Sequence, residues 1–468
     1  MSEVKVNKIS PRTNCGTVTL GDSGDSFTIP AGVTITNNGT QTGFGRTGTV
    51  NWQTTLKTAN FTAVNGEGYF INTTSGAITM TLPSSPSVGD IVAVKDYART
   101  FDTNALTVAR NGSNMDGADG DSVFSTEGLS ATLIYMDATK GWSLINDDAT
   151  TQVGAQYVEA SGGNTTATCG DFKIHTFTSP GTFTVTKSGN ASGNNEIEYI
   201  VVGGGGSGSA KGPGDSGGGG GAGGFRYSSP SLAPVTYPAK PLTGTALNLP
   251  ATGYPITVGA GGAGNPNPGG TCAPSGNGAN GSNTIFSTIT STGGGRGGYD
   301  NPRQNGSGFP GGSGGGSGSG TGSGPTISAG TGNTPSVTPP QGNPGGTFSY
   351  AGSPPNGCAA AGGGALAAGS NSVGGNNQTT GGVGAGVPNA FGTSGENCGT
   401  NYYFAGGGGG GSRSPTTPIG GLGGGGNVST AGSTNTGGGG GGAQGSPGSA
   451  AGNSGGSGIV IIRYKFQN

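Results

Sequence analysis

The sequence predicts a mainly β protein with very little α-helix, and three observations predict it. Glycine and proline supply 110 and 28 of the 468 residues, and both disfavour helices. Apolar residues make up only 29%, below the usual globular share, and they fall in short alternating runs separated by turn residues. The glycine is also segregated: 24 glycines lie in residues 1–202 and 86 in residues 203–458. The chain therefore divides into a β-rich front half and a glycine-rich back half.

The first element is a short-strand N-terminal region, residues 1–50. Phe27-Thr28-Ile29 and Val33-Thr34-Ile35-Thr36 alternate apolar residues with threonine, and Asn37-Asn38-Gly39 signals a turn. The segment is too short to bury a core by itself. Its core is expected to be completed by other copies of the chain or by a partner.

Residues 51–148 follow as a β-sandwich or jelly-roll-like domain. Strands are expected at 68–72, 77–82, 90–96, 105–109, 131–135 and 142–145. Ser75-Gly76, Pro83-Ser84-Ser85-Pro86, Asn111-Gly112 and Lys140-Gly141 separate them. The spacing of strand and turn signals suits a two-sheet all-β unit. Phe70, Ile78, Met80, Leu82, Ile91, Val92, Leu133, Tyr135 and Trp142 are its expected core. A polar connector, 149–171, comes next.

The third domain spans 172–468. Strands at 172–177, 182–187 and 197–202 precede the glycine. A β-branched strand at 458–466 closes the chain. That last strand is expected to return to the 172–202 strands, making a small β base from which 203–457 is one long excursion.

Three states suit such an excursion. Disorder is the default for glycine-rich sequence without a period. Collagen requires strict Gly-X-Y, which Gly406–Gly411 and Gly437–Gly442 break. The third state is a packed bundle of polyproline-II-type glycine helices, termed polyglycine II. Such helices have three residues per turn and no internal hydrogen bonds. Their buried N–H and C=O groups must find partners on neighbouring helices. Discrete glycine runs, bulkier segments between them and only nine charged residues in 203–458 favour the bundle.

Composition excludes several functions. A net charge of -2 gives no electrostatic footprint for nucleic acid. No run approaches the ~20 apolar residues of a membrane span, and no apolar signal segment opens the chain. No enzyme activity and no cofactor are expected. His175 is the only histidine, so any Ser-His-Asp or Cys-His site would depend on it, and its strand setting favours a structural role. Cys15, Cys169, Cys272, Cys358 and Cys398 show no C-x-x-C spacing and are expected as isolated thiols. Asp116, Asp119 and Asp121 share one glycine-containing loop. Hard cations suit that arrangement, but the spacing departs from an EF-hand and a solvated turn is the simpler reading.

The aromatic residues of the back half are the candidate site. Tyr299, Arg303 and Phe309 share one segment, Phe348 and Tyr350 a second, and Phe391 with Tyr402, Tyr403 and Phe404 a third. Aromatic faces stack on sugar rings, with nearby polar groups supplying hydrogen bonds. The alternative is that these rings cap the bundle or pack at a subunit interface.

A family resemblance adds to these readings. His175-Thr176-Phe177-Thr178-Ser179-Pro180-Gly181-Thr182-Phe183-Thr184-Val185, Ile197-Glu198-Tyr199-Ile200-Val201-Val202 with the glycines that follow, Tyr254-Pro255-Ile256-Thr257-Val258-Gly259, and Ser457-Gly458-Ile459-Val460-Ile461-Ile462-Arg463-Tyr464 resemble the glycine-rich receptor-binding modules of bacteriophage tail fibres. Val4-Lys5-Val6-Asn7-Lys8-Ile9-Ser10-Pro11-Arg12 and Ile29-Pro30-Ala31-Gly32-Val33-Thr34-Ile35 resemble fibre proteins of marine phages, including cyanophages. The resemblance implies a virion tail-fibre adhesin. It would be a homotrimer, joined to phage tail or adaptor proteins through residues 1–50. It would bind a host surface receptor, a polysaccharide or an outer-membrane protein, through variable loops of a polyglycine-II module. On this reading, removing 296–310 or 388–404 should abolish adsorption without unfolding the β domains. Two alternatives stay open: a structural fibre or spacer without receptor specificity, and an endoglycosidase tailspike, which needs paired carboxylates in a groove.

Overall fold

A computed structural model of the chain describes residues 50–145, 155–190, 193–210, 216–232, 244–265, 278–301, 304–319, 326–350, 358–373, 378–412, 417–444 and 450–467, together with Ile9, Val18 and Thr19. The strands expected at 27–36, Arg303, Cys15 and Cys272 lie outside the described residues. The fold is mainly β, as the composition predicts.

The first unit has nine strands: β1 (Asn51–Lys57), β2 (Phe61–Thr62), β3 (Glu67–Ile71), β4 (Ile78–Thr81), β5 (Ile91–Asp96), β6 (Leu106–Ala109), β7 (Ser122–Phe124), β8 (Ser130–Asp137) and β9 (Gly141–Leu144). They form two sheets, β1-β3-β5-β8-β9 and β2-β4-β6-β7. The two-sheet core follows the sandwich expectation, but the connectivity is not that of a jelly-roll. From β1 to β6 the chain alternates between the sheets, and β1, β3 and β5 pair in parallel, as do β2, β4 and β6. Only β7, β8 and β9 pair antiparallel. Each coil of chain thus lays one strand in each sheet. Strand and turn spacing carries no signal for pairing direction, so the sequence left this undetermined.

Tyr69, Ile71, Met80, Leu82, Val92, Val94, Leu106, Val108, Leu133 and Trp142 fill the space between the sheets. Phe70 and Ile91, expected in this core, stand one residue out of frame with it and are only half-buried. Phe70 stacks instead on the exposed Trp52, with ring centroids 5.0 Å apart. Burial and the hydrogen bond from its hydroxyl to Glu67 push the Tyr69 pKa up to about 12. Asp119 forms an ion pair with Arg110, and an oxygen of Asp121 accepts the Arg110 backbone N–H at 2.9 Å. Two of the three loop carboxylates are therefore already engaged by one residue.

The second unit begins earlier than the connector expectation allowed, with β10 (Val158–Ser161) and β11 (Thr165–Cys169). There follow β12 (Phe172–Phe177), β13 (Gly181–Ser188), β14 (Ile197–Val202), β15 (Phe225–Ser228), β16 (Gly253–Thr257), β17 (Thr284–Phe286) and β18 (Ile289–Ser291). The glycine-rich stretch adds β19 (Asp300–Asn301), β20 (Gln304–Asn305), β21 (Thr326–Ile327), β22 (Phe348–Ser349), β23 (Ser372–Val373), β24 (Ala385–Pro388), β25 (Glu396–Cys398) and β26 (Asn401–Phe404). The chain closes with β27 (Ile459–Lys465). Threonine-rich, fully exposed β11 offers no apolar alternation, which is why its segment resembles a polar connector in sequence.

The closing strand returns to the base as expected. β27 lies between β12 and β14 in the sheet β11-β12-β27-β14-β15. All six residues of β14 are buried, because this sheet is covered on both faces. Val201, Val460, Ile462 and Tyr464 pack on one side with Val158, Phe183, Ile256 and Phe286 of the second sheet, β10-β13-β16-β17-β18. Ile200, Val202, Ile459 and Ile461 pack on the other with Val387, Phe391 and Phe404. Continuous β-branched sequence, rather than alternation, is what a doubly covered strand requires.

His175 is buried in this base. Its Nδ1 lies 2.6 Å from the Gly162 carbonyl oxygen and its Nε2 3.0 Å from the Tyr464 hydroxyl. Burial holds its pKa below the ordinary 6.5, the Gly162 hydrogen bond opposing and nearby Lys173 assisting. The fold thus favours neutral imidazole, while the unfolded chain takes up a proton near pH ~6.5. The stability this contributes is present above that pH and declines as pH falls below it. His175→Gln is expected to flatten the fall in Tm between pH 7 and pH 5; an identical pH slope in both proteins would refute this.

The glycine runs form a bundle held by backbone hydrogen bonds. The run 203–210 shows the logic. The N–H groups of Gly203, Gly206 and Ser209 donate to Gly224, Gly221 and Gly218. Those of Gly204 and Ser207 donate to Ser282 and Ala279, and those of Gly205 and Gly208 to Gly456 and Asn453. Every third residue faces the same neighbour, the period of a polyproline-II-type helix. Three further runs donate to it, through Gly294 and Gly297, Gly262, and Gly440 and Ala443. The run is therefore enclosed by six others. No apolar side chain is needed at its centre, and inter-run bonds satisfy the backbone groups that a buried chain must pair.

Candidate functional site

The runs alternate in direction, so their connections fall at two ends. At one end is the β base, where Gly203, Gly224, Thr292 and Gly458 adjoin the sheets. At the opposite end, Ser209 bonds Gly218, Ser216 pairs with Ser319, Gly318 bonds Gly306, Ala359 bonds Gly411, and Gly452 bonds Asn265. These residues lie beside the connections 211–215, 266–277, 299–305, 320–325, 351–357, 413–416 and 445–449, and Ser372, whose hydroxyl donates to the Cys358 carbonyl, lies beside 374–377. The described residues on either side of eight connections thus lie at the end remote from the base.

This geometry sorts the candidate aromatics. Tyr299 is half-buried and flanks the β19–β20 hairpin at the remote end. Phe348 lies in the short sheet β21-β22-β23 at that end and is buried, while Tyr350 beside it is 46% exposed. Phe309 sits lower, half-buried on a returning run, with the Arg296 guanidinium 3.5 Å above its ring centre. Burial lowers the Arg296 pKa.

The third cluster lies at the base instead. Phe391 and Phe404 are buried in the core against the central sheet, and Tyr402 packs on the same core. The Tyr403 ring covers Gly386, where a Cβ would come within 2.7 Å of the ring. Removing 388–404 would take out core side chains, so the expectation that this deletion spares the β domains is corrected. Phe391, Phe404 and Phe348 offer a ligand no free face, and packing accounts for them.

Sequence reasoning missed the apolar residues of the remote end. Val373 and Ile419 are 47% and 44% exposed there, each an isolated aliphatic residue in polar, glycine-rich sequence. Cys169 and Cys398 are exposed free thiols, and Cys358 is buried with its thiol 3.4 Å from the Ser412 hydroxyl. Among the described residues, no group of three or more His, Cys, Asp or Glu side chains could hold a metal ion. Among them, too, no helix is long and apolar enough to cross a membrane.

A β base carrying a hydrogen-bonded glycine bundle defines a glycine-rich module. Consistent with this, a family model described as a glycine-rich domain matches residues 178–465. The chain belongs to that family. No curated protein matches the chain.

Proposed function

We propose that the protein is a bacteriophage tail-fibre adhesin that binds a host surface receptor with the remote end of its glycine bundle. The observation that carries this reading is that the described residues on either side of eight connections lie at one end of a hydrogen-bonded scaffold. Loops held by such a scaffold can vary without disturbing it, which suits recognition of a variable surface. Tyr299 and Tyr350, with Val373 and Ile419, are the described side chains best placed there to meet a polysaccharide or a membrane protein. Residues 1–50 would join the fibre to phage tail or adaptor proteins on the virion. The reaction class is binding without catalysis, and no cofactor enters it.

A homotrimer fits the same reading. The outer face of the β1-β3-β5-β8-β9 sheet carries Trp52, Phe70, Ile91, Ile134 and Ile145, where a solvated face would be polar. Trp52→Ser with Phe70→Ser is expected to shift the chain from trimer to monomer in analytical ultracentrifugation. An unchanged mass would remove this face from the assembly.

For the adhesin itself, replacing residues 299–305 and 351–357 by short Gly-Ser turns is expected to lower cell binding at least tenfold with Tm unchanged. Unaltered binding to host cells would count against recognition by this end.

A further inference from the structure

We infer that the base end of the glycine-rich module carries a second, separate binding site for a small neutral polyhydroxylated ligand, such as the pyranose ring of a hexose. A cleft of about 330 Å³ opens there between the loop before β25, the turn 433–436 and the end of β12. That volume is at the lower end of ligand pockets, the scale of one or two sugar rings. The polar side chains of Thr178, Ser394, Glu396, Ser433, Thr434 and Asn435 line it.

The polar groups are fixed but unspent. Glu396 is anchored by one oxygen, Oε2, which accepts the N–H groups of Gly423 at 2.6 Å and Gly424 at 2.7 Å. Both glycines have positive φ, 110° and 86°, so the backbone turns two consecutive N–H groups toward one carboxylate. The turn on the opposite wall is also fixed. The Thr436 hydroxyl donates to the Ser433 carbonyl at 2.7 Å, and the Ser457 hydroxyl accepts the Asn435 N–H at 2.9 Å. No described residue hydrogen-bonds the hydroxyls of Ser394, Ser433 or Thr434, or the Asn435 side-chain amide nitrogen.

The lining selects the chemistry. Hydroxyls donate and accept, the amide nitrogen donates, and the second Glu396 oxygen accepts. A sugar diol offers the complementary alternation of donors and acceptors. An apolar ligand would leave these polar groups unpaired. An anionic ligand would meet the Glu396 charge with no cation among the lining residues. The site is independent of the remote end and of the adhesin reading.

The test uses the full chain, free of cells, titrated by saturation-transfer NMR with methyl glycosides of glucose, galactose and mannose, and with methyl glucuronide as the anionic control. At least one neutral glycoside is expected to bind in the millimolar range, and the glucuronide at least tenfold more weakly. Thr434→Val combined with Ser394→Ala should weaken binding at least tenfold at unchanged Tm, and Thr434→Ser should retain it. Binding to none of the neutral glycosides, preference for the glucuronide, or equal binding by the double variant would overturn the inference. Because these variants lie at the base, cell binding is expected to stay unchanged in them, so failure of this site and failure of the adhesin reading give different results.

Discussion

Gly220→Ala is expected to destabilise the glycine-rich domain by at least about 3 kcal/mol, at or beyond the upper end of ordinary overpacking. Gly220 donates to Gly440 and accepts from Gly408. A Cβ on it would overlap the Gly206 carbonyl oxygen and come within 2.8 Å of the carbonyl carbons of Gly206 and Ser207. These are backbone atoms, so no rotamer change relieves the clash. Moving the run would lengthen bonds to its neighbours, each worth roughly 0.5–1.5 kcal/mol. Against a total stability of about 5–15 kcal/mol, the loss would be evident as a lower urea midpoint.

Ser207→Ala is the matched control. Ser207 already carries a Cβ inside the bundle, and its buried hydroxyl has no partner among the described residues. Its removal should be neutral or stabilising by up to about 1 kcal/mol. Equal stability of the two variants would show that close backbone approach does not hold the bundle together.

The second large effect belongs to the buried ion pair that fastens the closing strand. Glu198 on β14 and Arg463 on β27 face each other across the ladder and are 4% and 5% exposed. Glu198 Oε2 also accepts the Ser229 hydroxyl, and Oε1 the Ser231 N–H, each at 2.9 Å. Arg463 lies 3.5 Å over the Phe172 ring and donates to the Ser231 hydroxyl at 2.7 Å. Glu198→Ala would leave a buried guanidinium without its counter-charge, a change that costs about 3–5 kcal/mol. Glu198→Leu with Arg463→Met should recover most of that loss, since an apolar pair of similar volume removes both charges. Equal destabilisation by the single and double variants, measured by denaturation, would contradict this account.

The legible part of the fold follows from local chemistry. The runs Phe172–Phe177, Ile197–Val202 and Ile459–Lys465 announce strands through β-branching, and the glycine runs announce themselves. The return of the last strand was legible because two isolated apolar strands flank a segment without an apolar core. Pairing direction in the first unit was not legible, because parallel and antiparallel strands share the same alternation. Nor were β10, which turns only Val158 and Ala160 to the core, and β11, whose threonines lie exposed at a sheet edge.

The candidate site was legible as a set of aromatics but not as a place. Tyr350 and Phe404 look alike in sequence: each sits in a short aromatic cluster bordered by glycine. Only the direction of the runs puts one at the remote end and the other in the core. The cleft around Glu396 was illegible for a similar reason. It joins residues near 178, 395 and 434, and serine and threonine in glycine-rich sequence carry no distinguishing pattern.

Recognition is proposed to reside at the remote end of the bundle. Its most direct test measures fluorescent full-length protein on a panel of bacterial strains, beside the variant with residues 299–305 and 351–357 replaced by Gly-Ser turns. Strain-selective binding by the intact chain and loss of that binding in the folded variant are expected. Binding that persists undiminished in the variant, or an intact chain that binds no strain in a panel including a host its phage is shown to infect, would contradict the proposal.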